Sequence, residues 1–79
     1  MKPHEAIQIL RTLNRGERFR AARMAKGWSQ MQVSIKTGIS RSTIESIELC
    51  GDRYNLTYDK GLVLAKAYDV PLRWLMEGR

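Results

Sequence analysis

The 79 residues include 14 Lys and Arg against 8 Asp and Glu, which gives a formal net charge of +6 at pH 7 and an isoelectric point near 10.0. A chain of this length is expected to form one small domain with no room for an effector domain, and its single cysteine excludes an internal disulfide. No apolar run reaches the length of a membrane span, and the first residues lack the apolar stretch of a signal peptide. These features predict a cytoplasmic protein with no membrane partner, whose basic surface suits an acidic ligand.

The first predicted element is a helix over about residues 4–13. Its apolar residues recur at helical spacing: Ala6, Ile7, Leu10 and Leu13. We therefore divide the chain into an N-terminal helical extension, residues 1–14, and a main domain, residues 15–79. The apolar stripe needs a partner, and two alternatives are open: packing on its own domain against the last helix, or contact with a second copy.

A second helix is predicted from Asn14 to about Gly27. Asn14 with Glu17 three residues later is a capping-box pattern, and Phe19 and Ala22 face inward at helical spacing.

Two short helical patterns then meet at Gly38. Ser29 with Gln32 predicts the start of the first pattern, and Ser40 can cap the second. Gly38 between them can adopt the left-handed conformation that ends a helix. In the second of these helices Ile44 and Ile47 point one way and small polar or charged side chains point elsewhere.

Two further helices complete the predicted set. Thr57 caps one that runs to about Tyr68, with Leu62, Ala65 and Tyr68 facing inward. Pro71 opens a short last helix with four large apolar residues: Leu72, Trp74, Leu75 and Met76.

In this order and spacing, these patterns resemble the Cro/C1-type (XRE family) helix-turn-helix of phage repressors and bacterial regulators. The resemblance covers about residues 16–78 and is carried by residues 17–23, 27–30, 38–40, 42–44, 47–48, 64–68 and 70–75. It implies an all-α, lambda-repressor-like domain of five helices, here with an extra N-terminal helix. Cys50 stands where the family usually has glycine, and the following loop is longer, so residues 49–56 depart most from the family.

The resemblance implies that the helix after Gly38 enters a DNA major groove. Base readout is expected from Arg41, Ser42, Glu45 and Ser46. Arg41 is suited to a guanine edge, with a phosphate contact as the alternative, and Glu45 either to cytosine or to holding Arg41. Phosphate contacts are expected from Gln30, Arg53 and Asn55. Leu49 follows on the same face of this helix as the base-reading residues. There it can contact a thymine methyl group or cap the core.

Two further roles follow from the resemblance. Arg23 and Glu48 are expected to form a structural ion pair. It would join the helix before the motif to the end of the recognition helix, which is the helix after Gly38. Trp74, Leu75 and Met76 are expected to lie at a homodimer interface, with the stripe of residues 4–13 as the competing surface.

The predicted function is sequence-specific binding of double-stranded DNA, most simply as a homodimeric Cro-type repressor on a palindromic operator. One alternative is an antitoxin or controller protein that also binds a protein partner. Another is a protein-interaction module without DNA binding. The basic charge and the polar face of the helix after Gly38 disfavour this alternative. No enzyme, metal or cofactor is expected, because His4 is the only histidine and no catalytic or metal-ligand motif is present.

Overall fold

The computed structural model describes residues 13–79, and within this range the chain is entirely helical. Its five α-helices are α1 (Arg15–Ala25), α2 (Gln30–Thr37), α3 (Arg41–Cys50), α4 (Tyr58–Tyr68) and α5 (Leu72–Glu77), and a 3-10 turn at Gly51–Arg53 follows α3. The predicted all-α class is confirmed. The helix predicted over residues 4–13 lies outside the described residues, except for Leu13.

Local capping fixes where the first helices begin. The Asn14 side chain accepts from the Glu17 amide at 2.9 Å, and the Glu17 carboxylate accepts from the Asn14 amide at 3.1 Å. Ser29 and Gln32 make the same reciprocal pair at the start of α2. Each box satisfies two amides that the first turn leaves without a helical partner, so the predicted starts of α1 and α2 are confirmed.

The turn between α2 and α3 is built on Gly38. Its φ of 76° is left-handed, and its amide donates to the Ser34 carbonyl at 2.9 Å. Ser40 then caps α3 by accepting from the Thr43 amide at 3.3 Å. A residue with a Cβ would be strained at this φ. The glycine therefore lets α3 begin in a new direction after only the three residues 38–40.

One apolar core holds the five helices together. It is formed by Phe19, Ala22, Val33, Ile44, Ile47, Leu64, Ala65, Tyr68 and Leu75. One prediction about it needs correction. Leu64 is the fully buried leucine of α4, whereas Leu62 is only half-buried, because one helical turn places Leu64 and Tyr68 on the same face. Trp28 packs at the margin of the core and is half-buried.

A buried arginine attaches α5 to α1. The Arg18 guanidinium donates to the Leu75 carbonyl at 3.1 Å, the Met76 carbonyl at 3.1 Å and the Leu13 carbonyl at 2.7 Å. Two of these carbonyls belong to the last turn of α5, where the helix dipole favours a positive charge. Burial nevertheless lowers the pKa of Arg18 from its usual value. The short α5 is therefore anchored both by Leu75 in the core and by Arg18 at its end.

Within residues 13–79, no helix is long and apolar enough to cross a membrane.

Candidate nucleic-acid interface

Helix α3 has one buried side and one accessible side. Ile44 and Ile47 are fully buried against the other helices. Four residues of α3 were predicted to read bases. On the accessible side Arg41, Ser42 and Glu45 are exposed, whereas Ser46 is half-buried. A helix with this division can lie on the domain and still present polar groups to the major groove.

Arg41 and Glu45 lie next to each other on this accessible side. The closest atoms, Arg41 Nη2 and Glu45 Oε2, are 3.8 Å apart, and both side chains are about half-exposed. An exposed pair four residues apart stabilises a helix by only about 0.3–0.5 kcal/mol. Such a weak contact can align the guanidinium and still release it to a base edge.

The structure brings Arg23 and Glu48 together in a two-pronged ion pair. Arg23 Nε donates to Glu48 Oε2 at 2.8 Å, and Arg23 Nη2 donates to Glu48 Oε1 at 3.0 Å. The side chains are only 14% and 5% exposed. The hydrogen bond to Glu48 is the main reason why the pKa of Arg23 is raised above its usual value. Neither charge is free to contact DNA; the pair instead fixes the end of α3 to α1.

Gln30 lies at the first position of α2 and joins the same network. Its side-chain amide donates to Glu48 Oε1 at 3.3 Å, which leaves its second N–H available to another acceptor. Arg23 Nη1 also donates to the Trp28 carbonyl, at 2.8 Å, just before α2 begins. The start of α2 and the end of α3 are thus held by one set of hydrogen bonds.

One open groove collects residues from three helices beside the accessible side of α3. It is lined by Arg20, Arg23, Gln30, Glu45, Glu48 and Leu49. Two residues predicted for different roles, Gln30 for phosphate and Glu45 for bases, therefore lie on one surface. Arg20, exposed on α1, was not predicted as a site residue. The signal was present in the sequence, because Arg20 and Arg23 are three residues apart and share a face of that helix.

A close backbone approach positions α3 against α1. A Cβ atom at Gly16 would lie 2.5 Å from the Glu48 carbonyl oxygen and 2.9 Å from both the Ile47 carbonyl oxygen and the Gly51 Cα. Ordinary contacts are 3.4 Å or longer. Only glycine therefore lets the first turn of α1 lie directly on the last turn of α3.

The 3-10 turn after α3 is attached to the same end of α1. The Asp52 carboxylate accepts from the Arg15 amide at 3.1 Å, and the Arg15 guanidinium donates to the carbonyls of Gly51 and Tyr54. Arg53 and Asn55, the predicted phosphate ligands of this loop, are both exposed. Their side chains can therefore reach a ligand while the backbone around them is held in place.

The structure requires a correction to the predicted dimer interface. Leu75 has no exposed surface, because it is a central core residue. Trp74 and Met76 are half-buried and pack against the core. Leu75 therefore cannot lie on a surface that a second copy covers, although the neighbouring residues of α5 can.

Comparison with known families identifies this arrangement. A family model described as a helix-turn-helix domain matches residues 16–79. The chain belongs to this family. The family falls within the Cro/C1 (XRE) class, so the resemblance found in the sequence is confirmed. Comparisons with curated proteins and with solved structures found no significant match.

Membership assigns coarse functions to the parts described above. In this helix-turn-helix domain α2 and α3 are the two helices of the motif, and Gly38 lies in the turn between them. A domain of this family indicates a DNA-binding regulator, a class that is typically non-enzymatic. Among residues 13–79 no group of three or more His, Cys, Asp or Glu side chains is placed to hold a metal ion.

Proposed function

We propose that this helix-turn-helix protein is a sequence-specific transcriptional repressor of the Cro type, which acts in the cytoplasm as a homodimer on a palindromic DNA operator. The observation that supports this most directly is the accessible side of α3, where Arg41, Ser42 and Glu45 are exposed. The opposite side of the helix is fixed by the core, and Glu48 holds the last turn of the helix to α1. A rigidly held polar helix, in a chain of net charge +6, matches what major-groove readout requires.

The proposed contacts fall into two kinds. Arg41, Ser42, Glu45 and Ser46 read base edges, and Gln30, Arg53 and Asn55 contact phosphates. The second N–H of the Gln30 side chain, next to the open amides at the start of α2, supports the phosphate role. We add Arg20 as a phosphate ligand, because it is an exposed cation on the rim of the same groove.

The base-reading role of Arg41 gives the direct test. Sites would be selected from random DNA with the purified protein, and binding of wild type and variants to the selected site and to a scrambled site would be measured by fluorescence anisotropy. We expect Arg41→Ala to weaken binding to the selected site by about 1–3 kcal/mol and to relax the preference at one base pair per half-site.

Arg41→Lys is the matched control, since it keeps the charge but lacks the planar fork that pairs with guanine. If Arg41→Lys restores full affinity, or if Arg41→Ala weakens both DNAs equally, Arg41 contacts only phosphate. The affinity of the wild type should also fall steeply with salt, with a log–log slope of about −0.9 per phosphate contacted. A flat salt response would favour an interaction module without DNA binding.

A surface for the homodimer is offered by the groove between α4 and α5. Its walls include Tyr58, Leu72 and Met76, and Arg73 and Glu77 lie beside them. Arg73 Nε and Glu77 Oε2 are 3.7 Å apart within one copy. If two α5 helices pack antiparallel about a two-fold axis, each Arg73 faces the Glu77 of the other copy, so the patch is self-complementary.

Charge reversal tests this surface. Arg73→Glu and Glu77→Arg each place like charges across the two-fold axis, so we expect roughly a tenfold or larger weakening of the dimer in analytical ultracentrifugation. The double variant restores opposite charges and should recover most of the affinity. Both residues are exposed, so helicity by circular dichroism should be unchanged. Single variants that dimerise like the wild type would move the interface to the stripe of residues 4–13.

A second candidate function, an antitoxin or controller protein with a protein partner, is favoured by one observation. Met31 and Ile35 on α2 are 53% and 77% exposed. Because they are four residues apart, they form one apolar surface on the helix. A protein partner could bury this pair, whereas DNA binding through α3 gives it no role.

A further inference from the structure

Leu49 is the most exposed large apolar side chain among the described residues, with 79% of its surface accessible. The sequence allowed it either to cap the core or to meet DNA. Its exposure excludes the core role, because a residue that packs in the core loses most of its accessible surface.

The position of Leu49 on α3 sets it on the reading side. Ser42 and Leu49 are seven residues apart, which is about 20° short of two full helical turns. They are therefore nearly in line, on the side opposite to the buried Ile44 and Ile47. Their separation along the helix axis is about 10 Å, so the two side chains lie about two turns apart on one line.

The neighbours of Leu49 make its chemistry distinct. The groove beside α3 is otherwise lined by polar and charged side chains, among them Arg20, Gln30 and Glu45. Those side chains can bind phosphates or the donors and acceptors of bases, but Leu49 can offer only apolar contact. In the major groove, the apolar group at a base edge is the methyl group on C5 of thymine, which 5-methylcytosine also carries.

We infer that Leu49 is a specificity-determining residue that contacts the C5 methyl group of a pyrimidine. This inference rests on the proposed DNA-binding function and names the chemical group that this one side chain recognises.

Uracil substitution tests the contact directly, because uracil is thymine without the methyl group. Each thymine of the selected operator would be replaced in turn by uracil, and the affinity of wild type and Leu49→Ala measured for each duplex. At one thymine per half-site we expect the wild type to lose about fourfold in affinity, which is the effect of one buried methyl group. Leu49→Ala should bind the thymine and uracil duplexes equally at that position.

Two controls separate the methyl group from other effects. Leu49→Met keeps a long apolar side chain and should retain the discrimination against uracil. With a C·G pair at the same position, 5-methylcytosine should bind the wild type about fourfold more tightly than cytosine, because the methyl group is the same. This arm distinguishes thymine from methylated cytosine as the natural source of the group.

Either of two outcomes would overturn the inference while leaving the proposed function intact. These are a wild type indifferent to uracil at every thymine of the operator, or an equal loss of affinity on uracil substitution in wild type and Leu49→Ala. Failure of the proposed function looks different: the wild type would then show no salt-sensitive preference for any DNA, and no operator would emerge from the selection.

Discussion

Replacing either Arg23 or Glu48 by methionine is expected to lower the free energy of unfolding by about 3–5 kcal/mol, as is typical when one member of a buried ion pair is removed. Glu48 is 5% exposed and accepts three hydrogen bonds, two from Arg23 and one from Gln30. Without Arg23 its carboxylate would be left buried with one weak donor. A domain of this size rarely has more than about 3–5 kcal/mol of net stability, so each single variant should be largely unfolded at 25 °C.

The double variant Arg23→Met/Glu48→Met is the informative comparison. Two methionines remove both charges together, and replacing a buried ion pair with apolar residues is often close to neutral. We therefore expect the double variant to be more stable than either single variant in urea denaturation followed by circular dichroism. If the single variants lose little and their effects add, the two side chains behave as independent surface charges and the bridging role is wrong.

The second large effect is expected at Gly16. Gly16→Ala places a methyl group 2.5 Å from the Glu48 carbonyl oxygen, and the three nearest atoms all belong to the backbone of α3 or the turn after it. Backbone atoms cannot rotate away as a side chain does, so α1 and α3 must separate. We expect a loss of about 2–3 kcal/mol in the free energy of unfolding, at the upper end of the usual range for overpacking.

Gly61→Ala is the matched control for this substitution. Gly61 also lies within a helix, and a Cβ there would meet the Met76 Sδ at 2.6 Å. Because Met76 is a flexible side chain that can move, and because alanine favours a helix by about 1 kcal/mol over glycine, this variant should be near neutral. If urea denaturation shows the two variants equally stable, the contact of α1 with α3 tolerates a methyl group and does not require glycine.

The sequence predicted the local structure well where a few neighbouring residues decide it. Asn14, Ser29 and Ser40 begin their helices as expected, and Gly38 takes the left-handed conformation. Capping depends on residues three positions apart, so a single sequence contains the needed information. Periodicity likewise placed Phe19, Ile44 and Ile47 in the core, because these helices each have one apolar face.

Contacts between distant parts of the chain were harder to predict. Apolar residues at the end of α5 suggested an exposed dimer surface, but Leu75 fills the core. The sequence of α5 could not show this, because the burial of Leu75 depends on where α1 and α4 lie. The roles of Gly16 and Arg18 were also missed. A glycine in the first turn of a helix signals a close approach but does not say to which element. A buried arginine that binds carbonyls near both ends of the described chain follows no local pattern.

Helix α1 is the common support for the two surfaces on which the proposed function depends. Through Gly16 and Arg23 it holds the recognition helix α3, and through Arg18 it holds α5 beside the proposed dimer surface. In the proposed dimer the two recognition helices therefore stand at a fixed separation and a fixed angle around the DNA axis. Each base pair inserted between operator half-sites turns one of them by about 34–36° around that axis. Such a rigid dimer reads rotational phase along the double helix as well as base sequence.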